Sequence, residues 1–176
     1  MIPKALVGQS ALLPFLALIA ATGFWGSSFI TVARTLESTD PFTLVFLRFG
    51  VGALLVALWL RSRIFRIPLE TWKMGAVCAV VIYASYLFNH IGLMTILSST
   101  SGFLTALYVP ITPFLFWAIA GRRPELCAFA GAAVAFGGLV LLADPFNLEF
   151  SSSWGEWTTI FSAFLSALEI ILMGRF

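Results

Sequence analysis

The sequence predicts an all-α membrane protein, a bundle of six transmembrane helices. Composition, hydropathy pattern and the placement of charge lead there. Hydrophobic residues make up 60% of the 176 and charged residues only 10%, with a mean hydropathy of +1.01. A soluble domain carries roughly 25% charged residues, so this chain lacks the polar side chains to cover a water-facing surface. The apolar residues are gathered into six segments of about the length a helix needs to cross a hydrocarbon core.

Those segments fall at about residues 11–33, 42–60, 72–93, 102–120, 126–143 and 157–173. The first begins soon after Lys4 and could pass for a secretory signal. It continues through Trp25 without a cleavage region and is read as a retained span. The second carries Arg48, the third ends in Asn89 and His90, and the sixth holds Glu169 near its end. Trp59, Trp72, Trp117 and Trp157 sit near segment ends, where an amphipathic ring occupies the headgroup level. The fifth contains GAAVAFGG, whose pairs Gly131/Ala135 and Ala133/Gly137 predict a close helix approach, as scaffold or oligomer seam.

Lys4, Arg61, Arg63, Arg66, Lys73, Arg122, Arg123 and Arg175 all fall on one side of the implied membrane. The other side has Arg34 with Glu37, Asp40, Asp144, Glu149 and Glu156. By the positive-inside rule both termini are cytoplasmic. Basic residues confined to these loops give no reason to expect a nucleic-acid partner. Cys78 and Cys127 have no metal-ligand spacing and are expected to be free thiols.

The stretch from Ser98 to Arg123 is the most informative. Pro110 and Pro113 lie near its middle, and each removes an N–H, freeing the carbonyls of Ala106 and Val109. In lipid such groups need a neighbouring helix, a hydroxyl or water. Thr105 and Thr112 are near enough in sequence to serve. A kink at that depth beside hydroxyls and Tyr108 could hold a polar solute, or serve packing alone.

Arg48, His90 and Glu169 cost free energy in lipid, about 2.5–3.5 kcal/mol for a mid-span Arg, so each is a candidate for a pathway or a paired ion. Arg48 is read as snorkelling outward or pairing with a carboxylate. His90 is read as a hydrogen-bonded interface residue, with a Ser–His pair to residues 98–101 as the rival. Ser162 and Ser166 precede Glu169 on nearly one helix face. That face could pass a proton or bind a cation, or Glu169 could be hydrated at the interface. Trp25, beside Gly26, either lines a cavity or fills a gap. No metalloprotease motif, paired in-span carboxylates or phosphate-cradling glycine loop is present, so neither an enzyme nor a cofactor is expected.

These residues resemble a known family. FWGSSFI (24–30), Pro41 with Arg48-Phe49, and above all NHIGLMTILSSTSGFLTALYVPITPFLFW (89–117) are similar to EamA-type members of the drug/metabolite transporter superfamily. GRRP (121–124) and SALEIILMGRF (166–176) also fit. The resemblance implies ten helices in two inverted five-helix repeats around a central cavity. Residues 1–143 would form the first repeat, 144–154 a periplasmic loop, and 155–176 the first helix of an inverted second repeat. It implies an inner-membrane exporter or permease of small metabolites or drugs, working by alternating access. The rival is an inert fragment or half-transporter whose cavity a partner chain completes; a homo-oligomer or missing second half is the partner so implied. Substrate-cavity candidates are Trp25, Ser28, Asn89, His90, Thr105, Tyr108, Thr112 and Glu169. In Glu169 the chain departs from the family, where an uncharged polar residue such as Gln is expected.

Overall fold

A computed structural model describes residues 12–143 and 153–175, and all regular structure in them is helical. The helices are α1 (Leu12–Leu36), α2 (Pro41–Leu60), α3 (Leu69–Leu93), α4 (Ser98–Ala106), α5 (Tyr108–Ala120), α6 (Leu126–Ala143) and α7 (Trp154–Arg175), with a 3₁₀ turn at Arg61–Arg66 between α2 and α3. Five stretches are long and apolar enough to cross a bilayer: α1, α2, α3, α4 and α5 together, and α7. The 18 residues of α6 reach about 27 Å, slightly short of an average core. The all-α membrane bundle is therefore as expected.

Local chemistry sets several helix ends. Asp40 caps α2 by accepting from the Thr43 amide at 2.9 Å, and Pro41 fills the first helical position, where a missing N–H costs nothing. Hydrogen bonds from Thr43, side chain first and then backbone, hold the Asp40 carboxyl below its ordinary range. That cap is complete above the usual aspartate range and is lost as pH falls through the lowered value. At α7, Ser153 and Glu156 exchange bonds in a capping box: the Ser153 amide donates to Glu156 Oε2 at 3.1 Å, and the Glu156 amide to Ser153 Oγ at 3.4 Å. Gly121 ends α5 at φ 63°, a left-handed turn that favours glycine.

The fourth span is broken where proline requires it. Pro110 cannot bond the Ala106 carbonyl, so α4 stops at Ala106 and a new helix starts at Tyr108. Pro110 then lies in the first turn of α5, where an N–H would have had no partner anyway. The two threonines do not cover the freed carbonyls as the sequence suggested. Thr105 Oγ1 donates to Ser101 O at 2.7 Å and Thr112 Oγ1 to Tyr108 O at 2.6 Å. In a helix a hydroxyl reaches back to its own preceding turn, away from the carbonyl that proline orphans.

Packing centres on α7, which lies against α3, α4 and α5, while α1 lies against α4 and α3, and α2 against α3. Polarity is arranged opposite to that of a soluble protein. Ser101 and Thr159 are 0% exposed, whereas Phe24 and Val134 are 78% and 76% exposed. Hydroxyls inside and apolar side chains outside is the arrangement lipid selects, because a polar group facing acyl chains has no partner.

Helices α3 and α7 approach closely at two glycines. A Cβ added at Gly92 would overlap Thr159 Oγ1 and come within 2.7 Å of the Gly155 carbonyl. A Cβ at Gly155 would overlap Thr95 Oγ1 and lie 2.9 Å from the Gly92 carbonyl. The stripe on α6 that the sequence marked for close packing behaves differently. Gly131, Gly137 and Gly138 have nothing within 4 Å of a built Cβ, and α6 meets α5 through Phe129 against Phe114, ring centroids 5.2 Å apart. Small residues permit close approach, but only a facing helix makes use of it. Gly92→Ala is therefore expected to lower stability by about 1–3 kcal/mol through overpacking, and Gly131→Ala to leave it unchanged or slightly raised. Thermal unfolding in detergent, followed by fluorescence, compares the two.

Candidate functional site

The α3–α7 contact continues inward as a line of hydroxyls. Ser85 Oγ donates to the Ser162 carbonyl at 2.9 Å and lies 2.7 Å from Ser166 Oγ. A carbonyl only accepts, so the single Ser85 proton is used there and Ser166 must donate to Ser85. Ser162 Oγ donates to Thr159 O at 2.7 Å. Across the bundle, Thr105 spends its proton on Ser101 O, so Asn89 Nδ2 donates to Thr105 Oγ1 at 2.7 Å. This fixes the Asn89 amide with its nitrogen toward α4 and its carbonyl oxygen uncommitted.

Between these two networks lies a cavity of about 210 Å³. Trp25 and Phe29 of α1, Ile82, Ser85, Tyr86 and Asn89 of α3, Thr105 and Tyr108 at the α4–α5 break, and Ser162, Ser166, Glu169 and Ile170 of α7 form its walls. The helix break is thus part of the wall, with one flanking side chain on either side of Leu107. Glu169 is half-buried, and its carboxylate makes no hydrogen bond or ion pair with the described residues. Beside the cavity is a smaller pocket of about 20 Å³, enough for one water. It shares Trp25, Phe29, Tyr86 and Asn89 with the cavity and adds Ser28, Val32, Arg48, His90 and Leu93.

Residues 12–143 match the EamA-like transporter family, three-quarters of the chain. The chain belongs to the EamA-like transporter family. Two proteins of Archaeoglobus fulgidus, each named an uncharacterized transporter, are similar to it. One is 26% identical over 92% of this chain and 48% of its own length, the other 26% identical over 84% and 53%. The chain thus spans about half the length of the curated relatives it matches. No solved structure matches it. A multi-pass membrane protein of a transporter family is what the fold and these likenesses together establish.

In this EamA-family chain, five of the eight candidates from sequence, Trp25, Asn89, Thr105, Tyr108 and Glu169, face one cavity. Ser28 and His90 line the adjoining small pocket. Thr112 lines neither, since its hydroxyl is turned onto its own helix. Arg48 is paired with no carboxylate among the described residues. Its Cζ lies 4.8 Å from the centre of the Tyr86 ring, a cation–π contact. His90 is only 2% exposed and packs edge-on against Tyr86, its Nδ1 without a hydrogen-bond partner among the described residues. No hydrogen bond joins it to the serines at 98–101, so the Ser–His pairing is not formed. The sequence reading missed Phe29, Ile82, Ser85, Tyr86 and Ile170 as walls. Ser85 and Tyr86 lie four and three residues before Asn89 on the same helical face, which was the available signal.

Ser85→Ala removes two interhelical bonds and is expected to cost about 0.5–1.5 kcal/mol. Ser27→Ala, which loses only a bond to Phe24 O within its own exposed helix turn, is expected to be near neutral. Reversible unfolding in mixed micelles measures both.

Proposed function

We propose that this chain forms the solute-holding part of a permease for a small polar or amphipathic metabolite, exposing its cavity alternately to the two sides of the inner membrane. The carrying observation is a cavity of about 210 Å³, edged by hydroxyls, an amide and a carboxylate, inside a bundle whose outer surface is apolar. A hydrophobic bundle has no packing reason to turn hydroxyls, an amide and a carboxyl group onto one cleft, and intramembrane ionisable groups commonly mark a solute or ion path. The volume is below the roughly 300–1,000 Å³ of a drug-sized pocket and suits a small solute. No nucleotide-binding motif is present in the sequence, so an ion or proton gradient is the proposed driving force.

A second reading has its own support in the length of the relatives. The cavity would be completed by further helices, from a longer polypeptide or a partner, and the 176 residues alone would be inert. Flux in proteoliposomes separates the readings. The first expects gradient-dependent uptake of a small metabolite by the 176-residue chain. The second expects it only when a longer chain or partner is co-reconstituted. No movement of any solute in either preparation overturns the permease reading.

Orientation is testable through the native thiols. Cys127 is exposed just beyond Arg122 and Arg123, while Cys78 lies inside α3. With both termini cytoplasmic, an impermeant maleimide should label Cys127 only after permeabilisation of the inner membrane. Labelling of Cys127 in cells with an intact inner membrane reverses the assignment.

A further inference from the structure

The hydrogen bonds that build the cavity wall also decide which solute it can receive. Ser85, Thr105, Ser162 and Ser166 have all spent their hydroxyl protons on protein acceptors, and the Asn89 amide nitrogen is committed to Thr105. What these groups turn toward the cavity is lone pairs. The Asn89 carbonyl oxygen adds another acceptor, and Glu169 adds a carboxylate with no partner among the described residues. Trp25, Tyr86 and Tyr108 are the side chains of the wall with a donor still unassigned. The wall is therefore rich in acceptors and holds one acidic side chain, Glu169. Arg48 is excluded from it, lining the smaller pocket with its guanidinium on the Tyr86 ring.

We propose that the cavity selects a small organic monocation bearing N–H donors, a primary arylalkyl- or alkylammonium, with Glu169 as its counter-charge. The ammonium places a charge opposite Glu169 and donates up to three hydrogen bonds to the serine, threonine and asparagine oxygens. The apolar part lies among Trp25, Phe29 and Tyr108, whose ring faces attract a cation as well as cover carbon, the Tyr86 ring being taken already by Arg48. A carboxylate solute would meet Glu169 and a ring of lone pairs, and desolvating it there would leave its oxygens short of donors. This rests on reading the cavity as the solute site and adds the class of solute.

Equilibrium binding to the full chain in nanodiscs tests it without requiring transport. Tryptophan fluorescence is titrated with phenethylammonium, neutral 2-phenylethanol and anionic 3-phenylpropanoate, three solutes of similar size. The wild-type chain should bind the cation at least about tenfold more tightly than the other two. Glu169→Gln should abolish that preference while leaving the neutral solute's affinity in place, and Glu169→Asp should keep part of it. Trp25→Phe should remove most of the fluorescence response. The comparison of three solutes on the wild-type chain needs no variant, so a Glu169 variant that fails to fold leaves the test intact. Equal or tighter binding of the anion or the neutral solute overturns the proposal, as does an unchanged cation preference in Glu169→Gln. Cation binding with no flux in either preparation would keep this inference and sink the permease reading; flux with no ammonium preference would do the reverse.

Discussion

The close crossing of α3 and α7 is the contact on which the rest of the bundle depends. At one end of it two glycines, Gly92 and Gly155, bring backbone against backbone. Seven residues further along α3, Ser85 holds α7 through the Ser162 carbonyl and the Ser166 hydroxyl. Lipid tails are as apolar as leucine, so burying hydrocarbon between helices gains little in a bilayer. Close van der Waals contact and interhelical hydrogen bonds are what remain, and this pair of helices has both. Phe88 edge-on to Phe161, at 4.9 Å, fills the space beside them.

From that crossing the cavity follows. Two helices clamped at the glycine end need not stay in contact along their whole length, and the polar side chains Ser85, Ser162, Ser166 and Glu169 come to face the interior. The other wall is supplied by a span that cannot be straight. Pro110 forces α4 to stop at Ala106, and the new start at Tyr108 sets Thr105 and Tyr108 side by side on the cavity. Trp25 and Phe29 of α1 add aromatic surface to the wall. Each wall thus has a separate local cause, and the polar interior is the outcome of satisfying bonds that lipid would leave unmade.

Several features were legible before any coordinates. Helix positions follow hydropathy closely, because each backbone polar group in lipid must bond within its own segment. The fifth segment, at 126–143, agrees with α6 at both ends. The fourth began four residues earlier than its apolar run, at Ser98, since the polar SSTS turn is itself helical and buries Thr100 and Ser101. The break near Pro110, the end-of-span tryptophans and the shared face of Ser162, Ser166 and Glu169 were equally readable. Within this chain Gly131, Gly137 and Gly138 of GAAVAFGG meet no facing helix: small-residue spacing states that helices can approach, without saying which ones do. The glycines that are used, Gly92 and Gly155, lie 63 positions apart with no shared motif to join them. Arg48 also needed the fold, for nothing in its own helix announces that Tyr86 lies beneath it.

By itself the sequence determined that the chain lives in lipid, where its helices run, where one of them must break, and which ionisable groups demand an explanation. Those are consequences of local chemistry, since hydropathy, proline and helix spacing act within a few turns. The tertiary structure alone decided which helices touch, which hydroxyls use up their protons on one another, and that Trp25, Asn89, Thr105, Tyr108 and Glu169 share one space. Those depend on pairings between residues as much as 81 positions apart, such as Ser85 with Ser166. In a chain this uniformly apolar, many faces are equally willing to meet. A few glycines and hydroxyls break the tie.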